Sequence, residues 1–272
     1  MWIALVAATW FQVQEPKPIK VMTYNLRFAT ESDGENAWSK RKDAVIALIK
    51  SHDPDILGSQ EGLASQVDEL RQAMRSHAVV GVGRDDGLRK GEYSAIFYRR
   101  ERFGLREGGT RWISDTPDKA GSMGPGTTLP RVFSWGEFFL AEGGRILVMN
   151  CHLDHQSAEA RLLGAKQLAE FAKSRPSLPT IISGDFNCSF GSEPIDWLQK
   201  QGGFLAPKPS DGIMGTFNGF DPKATTGSMI DFIFASPHWT VTEFRVDRSL
   251  KPDGRVPSDH FPVIATLRMK SK

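Results

Sequence analysis

Six places in the chain set a polar, chemically able side chain in or just beyond an apolar run: Asn25, Glu61, His152, Asp185 with Asn187, Asp231, and Asp259 with His260. Such positions waste burial energy unless the groups are paired, because an unpaired buried charge costs several kcal/mol or shifts its pKa until it is neutral. One instance is a structural accident, but six are better explained by convergence on one site. That site would hold four carboxylates, Glu61, Asp185, Asp231 and Asp259, whose mutual repulsion a divalent cation would relieve. An all-oxygen set without a cysteine ligand favours Mg²⁺ or Mn²⁺ over structural zinc. The two cysteines, Cys151 and Cys188, are too few for a disulfide framework and make no zinc site by themselves.

Convergence requires elements that end together, and the chain alternates strand-like runs with amphipathic helices. Residues 19–24 (IKVMTY) are rich in strand formers and lead to Asn25. Over residues 37–50, Trp38, Val45, Leu48 and Ile49 recur at helical spacing, with Lys40, Arg41, Lys42 and Lys50 on the other face. Pro54 breaks that helix, residues 55–58 read as a buried strand leading to Gln60 and Glu61, and residues 63–74 resume a helical pattern. Residues 78–82, 93–98, 133–140 and 145–151 are strand-like, separated by turn-rich stretches such as GGT (108–110) and GSMGPGTT (121–128). A helix follows, striped by Leu162, Ala165, Leu168, Ala169 and Ala172, with Ser157 as its cap and Glu159 in its first turn. After the strand carrying GDFN (184–187) come a short helix near 193–200, a long loop, and closing strands near 230–235 and 263–268. Sheets with helices outside them are implied, in an α/β or α+β layering.

The 272 residues, 40% hydrophobic and 24% charged, describe an ordinary globular chain without repeats or low-complexity linkers. A formal net charge of +2 argues against a broad basic surface for duplex nucleic acid, although it leaves room for a local basic cleft. The start, MWIALVAATWF, is apolar but too short to span a bilayer, which takes about 20 apolar residues. It reads as a truncated secretory signal over residues 1–16, lacking the usual basic residues before its apolar stretch, with the folded domain over 17–272. Export to the periplasm or medium is expected on that reading, and cytoplasmic residence if the stretch is instead an edge strand or a disordered leader. No other segment is a candidate for transmembrane anchoring, and nothing in the sequence implies a protein partner.

The motifs MTYNLR (22–27), GSQE (58–61), NCHLDH (150–155), GDFN (184–187), IDFIF (230–234) and SDHFP (258–262) occur in the order found in the endonuclease/exonuclease/phosphatase superfamily, which the chain therefore resembles over nearly its whole length after residue 18. The resemblance implies a four-layer sandwich: two mixed β-sheets face to face, helices outside, and a metal-dependent phosphoesterase site at one edge. It further implies Glu61 as main metal ligand, helped by Asn25, with Asp259 close enough to be a ligand. Asp231 and His260 resemble the family's Asp-His dyad, in which the carboxylate fixes the imidazole tautomer. Asp185 is the candidate to deprotonate the attacking water or to protonate the leaving oxygen, while Asn187 and His152 would donate hydrogen bonds to phosphate oxygens.

Other residues keep two readings. Asp154 and His155 either shape their loop or touch substrate, and Arg161 binds either phosphate or a structural carboxylate. Arg131 and Trp135 resemble an Arg-x-x-x-Trp feature of one branch, Trp135 reading as core, as does Tyr93. His52, His77 and His238 read as non-functional. Cys151 and Cys188 flank the site motifs, so a disulfide is geometrically open in an exported protein.

For substrate, the resemblance to small bacterial hydrolases near the deadenylase and 2'-phosphodiesterase branch puts nuclease or phosphodiesterase action on nucleic acid or a small phosphodiester first. A secreted phosphatase or phospholipase C-type enzyme acting on inositol phosphates or phospholipids is the second reading. A non-catalytic binding module on the same fold is the third.

Overall fold

The structure, a computed structural model, describes residues 17–270, so the expected signal over residues 1–16 lies outside the described residues. Among the described residues eleven strands form two sheets. In the first sheet, β10 (Trp239–Val246), β11 (Val263–Met269), β1 (Ile19–Asn25), β2 (Ile56–Gly62), β4 (Tyr93–Arg99) and β3 (His77–Val80) are adjacent in that order. The second runs β5 (Phe103–Trp112), β6 (Val132–Leu140), β7 (Arg145–His152), β8 (Thr180–Asp185), β9 (Asp231–Ala235). The β1–β2 and β7–β8 pairs are parallel and the remaining pairs antiparallel, so both sheets are mixed.

The period-2 rule explains the layering. On β1, Ile19 and Val21 join Ile146, Val148 and Ile182 of the second sheet in one core, whereas Met22 and Tyr24 turn the other way onto Val45, Ile49 and Leu70. Those last residues lie on α1 (Trp38–His52) and α2 (Ala64–Ala73), which cover the first sheet. On the far side α3 (Ala158–Lys173) buries Ala165, Leu168 and Ala172 with Phe133 and Trp135 of the second sheet. The result is the four-layer sandwich that the sequence resemblance implied.

Local signals act as read. Ser157 accepts a hydrogen bond from Ala160 N (3.1 Å) and caps α3. α1 ends at Asp53 in the left-handed region (φ 45°), directly before Pro54. Three expectations need correcting. Gly108, Gly109 and Thr110 are not a turn but lie inside β5, an edge strand in which a Cβ at Gly108 would sit 3.0 Å from the Trp135 carbonyl oxygen. The strand β10 went unread because its polar, weakly alternating sequence is that of an exposed sheet edge. Arg41 does not face solvent with the lysines of α1. It is 1% exposed, and its guanidinium donates to the carbonyls of Asn36, Leu26, Arg27 and Pro257. Backbone oxygens thus supply the partners that a buried cation requires.

Candidate active site

Strand register collects the polar residues. Within the second sheet His152 pairs with Asp185 and Asp185 with Asp231, so three adjacent strands present one row of functional groups. Across the sandwich, β1 ends at Asn25 beside Gln60, and Asn25 Nδ2 donates both to Glu61 Oε1 and to Asp185 Oδ2, each at 3.0 Å. That one amide stitches the two sheets together at the rim.

Backbone peculiarities set the angles. The β2–β4 ladder shifts register between Ser59 and Gly62, and inside the shift Glu61 adopts φ 62°, with its Oε2 accepting from Phe28 N at 3.2 Å. A Cβ on Gly184 would lie 2.3 Å from the Cys151 carbonyl oxygen, so only glycine lets β8 lie this close to β7 immediately before Asp185. Asn187 (φ 49°) closes a turn whose N–H donates to Asp185 Oδ1 at 2.9 Å, while its Nδ2 donates to Leu153 O at 3.0 Å.

These residues open onto a cleft of about 460 Å³ whose walls include Glu61, Glu92, Arg131, His152, Asp185 and His260. His260 Nδ1 donates to Asp231 Oδ2 at 2.9 Å, and its Nε2 stands 3.7 Å from Asp185 Oδ2. Burial alone would lower the imidazole's pKa, but Asp231 and Asp185 more than offset it and hold it well above its usual value. His152 is the converse. Burial first, then the Arg131 guanidinium whose Nη1 lies 3.3 and 3.4 Å from its ring nitrogens, pull it down to about 3, so it is neutral. Asp185, 3.6 Å from His152 Nε2, is raised by burial and by Asp231. Burial, reinforced by the Glu61 charge, pushes Asp259 up to about 6.

Two groupings could hold a cation. Asp185, Asp231 and His260 offer ligand atoms within 4.8 Å of one another. There, however, the His260 imidazole, its pKa held well above the usual value, already lies between the carboxylates and offsets part of their charge. Glu61 and Asp259 line the cleft as oxygen donors, and the Glu61 charge adds to the cost of ionising Asp259, an imbalance that a hard divalent cation relieves. Asn25 backs them, with its Oδ1 accepting from Arg27 N at 2.9 Å.

The structure brings Asn25, Glu61, His152, His155, Asp185, Asn187, Asp231, Asp259 and His260 to this one edge, Asn25 and Asp231 being buried behind the cleft wall. Arg161 stands apart from the residues lining the cleft, and its Nη1 donates to Asp154 O at 2.8 Å. Asp154 in turn ion-pairs with Arg131 at 3.0 Å and accepts from Gln156 N and Ser157 N, so it shapes the loop. His155 Nδ1 accepts from Arg131 Nη2 at 2.6 Å and lines the cleft. Trp135 and Tyr93 are buried in the two cores. Of the histidines read as non-functional, His52 Nε2 hydrogen-bonds Asp247 Oδ2 at 2.5 Å, His77 bonds Pro54 O, and His238 bonds Ser236. Cys151 and Cys188 are both free thiols, so the disulfide does not form.

Several contributors escaped sequence reading. Glu92 lines the cleft and Arg84 holds it in a bidentate ion pair. Beneath the site Asn150 ties the sheets together: Nδ2 donates to Ser59 O (2.9 Å) and Ala95 O (3.0 Å), and Oδ1 accepts from Gln60 Nε2 (2.7 Å) and Ser183 Oγ (3.1 Å). The available signal was an amide interrupting the apolar run ILVM.

Two face-to-face mixed sheets with a carboxylate- and imidazole-rich rim define a phosphoesterase-type hydrolase scaffold. The chain belongs to the Endonuclease/Exonuclease/phosphatase family, whose sequence profile matches residues 22–260, and enzymes of this family are generally divalent-metal dependent. Its structure is similar to that of an endonuclease/exonuclease/phosphatase family protein from Bacteroides thetaiotaomicron, with 36% identity and a TM-score of 0.89 over 95% of this chain and 100% of that one. A mannosyl-6-phosphatase from the same organism is 37% identical, with a TM-score of 0.85 over 92% of this chain and 99% of that one. The human Nocturnin catalytic domain shares the fold at 19% identity, with a TM-score of 0.71 over 93% of this chain and 94% of that one. No curated protein matches by sequence.

Proposed function

We propose that the protein is a metal-assisted phosphoesterase that hydrolyses small phosphate monoesters at this cleft. Asp185 orients a water molecule and takes its proton as the water oxygen attacks phosphorus. The protonated His260, steadied by Asp231, donates to a phosphate oxygen whose charge grows in the transition state. Neutral His152 offers a second N–H, and Asn187 retains a second amide N–H beyond the one given to Leu153 O. The P–O bond to the alcohol breaks, and the alcohol departs with a proton returned from the site. Glu61 and Asp259, backed by Asn25, would hold a Mg²⁺ or Mn²⁺ ion. When bound, that ion neutralises phosphate charge and stabilises the departing oxygen.

The observation that carries the substrate size is the cleft itself. Its volume of about 460 Å³ is in the range of small-molecule sites. Its lining arginines are Arg27 and Arg131, and these are engaged by Asp33 and Asp154 rather than laid out as a track for a polyanion. The similarity to a mannosyl-6-phosphatase supports a sugar monoester ahead of the phosphodiester reading that stood first from the motifs.

The test is a screen of the purified protein with Mg²⁺ or Mn²⁺ against p-nitrophenyl phosphate, hexose 6-phosphates, bis-p-nitrophenyl phosphate and single-stranded RNA and DNA. Phosphate release from the monoesters is expected. Turnover confined to diesters or nucleic acid would overturn the monoesterase reading and restore the phosphodiesterase one.

A further inference from the structure

Beyond Glu61, Asp185 and Asp259, to which metal and water give a role, a further carboxylate in the wall of a phosphate-ester cleft is an oddity, because it repels the substrate's charge. Glu92 occupies that position, with 16% of its side chain exposed, beside Arg131 and His152. It is not a loose surface acid. Oε2 accepts from Arg84 Nη1 at 2.5 Å and Oε1 from Arg84 Nη2 at 2.9 Å, in the fork geometry of a bidentate pair. Arg84 is itself fixed: its side chain is 7% exposed, its N–H donates to Glu92 O at 3.1 Å across the loop, and its carbonyl accepts from Trp112 Nε1 at 2.6 Å.

The pairing has two effects. It cancels most of the repulsion that a bare carboxylate would exert on phosphate, and it aims what acceptor capacity remains in a set direction. Each carboxylate oxygen has lone pairs beyond the one given to Arg84. Glu92 Oε2 is 3.7 Å from His152 Nδ1, whereas Asp185 Oδ2 is 3.6 Å from Nε2, so the imidazole ring separates the acceptor from the hydrolytic carboxylate. A group meeting Glu92 therefore belongs to the alcohol part of the ester and not to the phosphate. An acceptor-only group in that place rewards hydroxyl donors and penalises apolar or anionic ones.

We propose that Glu92, clamped by Arg84, is a specificity residue that accepts hydrogen bonds from hydroxyls on the alcohol moiety and so selects phosphate esters of sugars or other polyols. The assignment rests on the monoesterase reading above.

The experiment compares kcat/KM for a hexose 6-phosphate, its single-deoxy analogues and p-nitrophenyl phosphate, using wild type and Glu92→Gln. For wild type, removal of at least one hydroxyl is expected to lower kcat/KM about tenfold or more, chiefly through KM. In Glu92→Gln, the parent hexose phosphate should lose at least tenfold more than p-nitrophenyl phosphate, and sensitivity to the same deoxy position should vanish. Wild type that cuts every deoxy analogue as well as the parent overturns the proposal without need of any variant. So does Glu92→Gln that loses activity on all monoesters equally, which would make the pair merely structural. Wild type inert to every monoester would instead fail the monoesterase reading, and this assignment with it.

Discussion

Replacing Asn150 by alanine removes four hydrogen bonds from a position that is 0% exposed between the sheets. At about 1 kcal/mol net each, and with two backbone carbonyls left short of donors, the loss comes to about 3–5 kcal/mol. That is a large part of the roughly 5–15 kcal/mol that holds a typical domain together. The two carbonyls belong to Ser59 and Ala95, paired residues where the β2–β4 ladder begins to slip, so the amide fills the gap that the slip opens. Urea unfolding followed by tryptophan fluorescence reads the effect: the midpoint should fall by about 1 M or more with the slope unchanged. Asn150→Asp, which turns the donor toward those carbonyls into an acceptor, should cost more than alanine. A loss under about 1 kcal/mol for alanine, or an aspartate better tolerated than alanine, would refute the account of how the sheets are joined.

Gly184→Ala forces a methyl against the Cys151 carbonyl at 2.3 Å and should cost about 3 kcal/mol or more in the same denaturation assay, with activity lost beyond what the unfolded fraction explains. Glu61→Gln should raise the Mg²⁺ or Mn²⁺ concentration needed for half-maximal phosphatase activity by an order of magnitude or more; an unchanged metal requirement would remove Glu61 from the ligand set. Asp185→Asn should lower kcat by about 10² or more while leaving unfolding cooperative. In metal-free protein the His260 imidazole, held up by Asp231 and Asp185, should stay protonated through neutral pH by ¹⁵N NMR and titrate lower in Asp231→Asn. Its contribution to stability is fully present below the unfolded value of about 6.5 and is lost as pH rises through the folded one, so thermal stability above pH 6.5 should fall more steeply in wild type than in Asp231→Asn.

Much of the site could be read from the chain because its residues sit at strand ends, where a polar group next to an apolar run is conspicuous. The six motif positions share one edge for the reason the sequence made visible: strands that pair in register bring their ends together. What stayed hidden depends on partners distant in sequence. Arg41 sits among lysines on α1 and looks like one of them, until the carbonyls of Leu26 and Pro257 supply its reason for burial. Glu92 precedes β4 without an apolar run before it, and only Arg84 across the loop and His152 from the other sheet give it a role. The edge strands β5 and β10 escaped because solvent on one side relaxes the alternation that marks interior strands.

Arg41 also bears on the order in which the site can be built. Its guanidinium gathers the carbonyls of Leu26 and Arg27, just past Asn25, together with that of Pro257, just before Asp259, although Pro257 lies 216 residues along the chain. An arginine left without those oxygens would remain hydrated, so the loops it clasps cannot settle until the segment around Pro257 arrives. Synthesised from its amino end, the chain thus presents Asn25 and Glu61 long before Asp259 follows, and only then can Arg41 draw the two loops together.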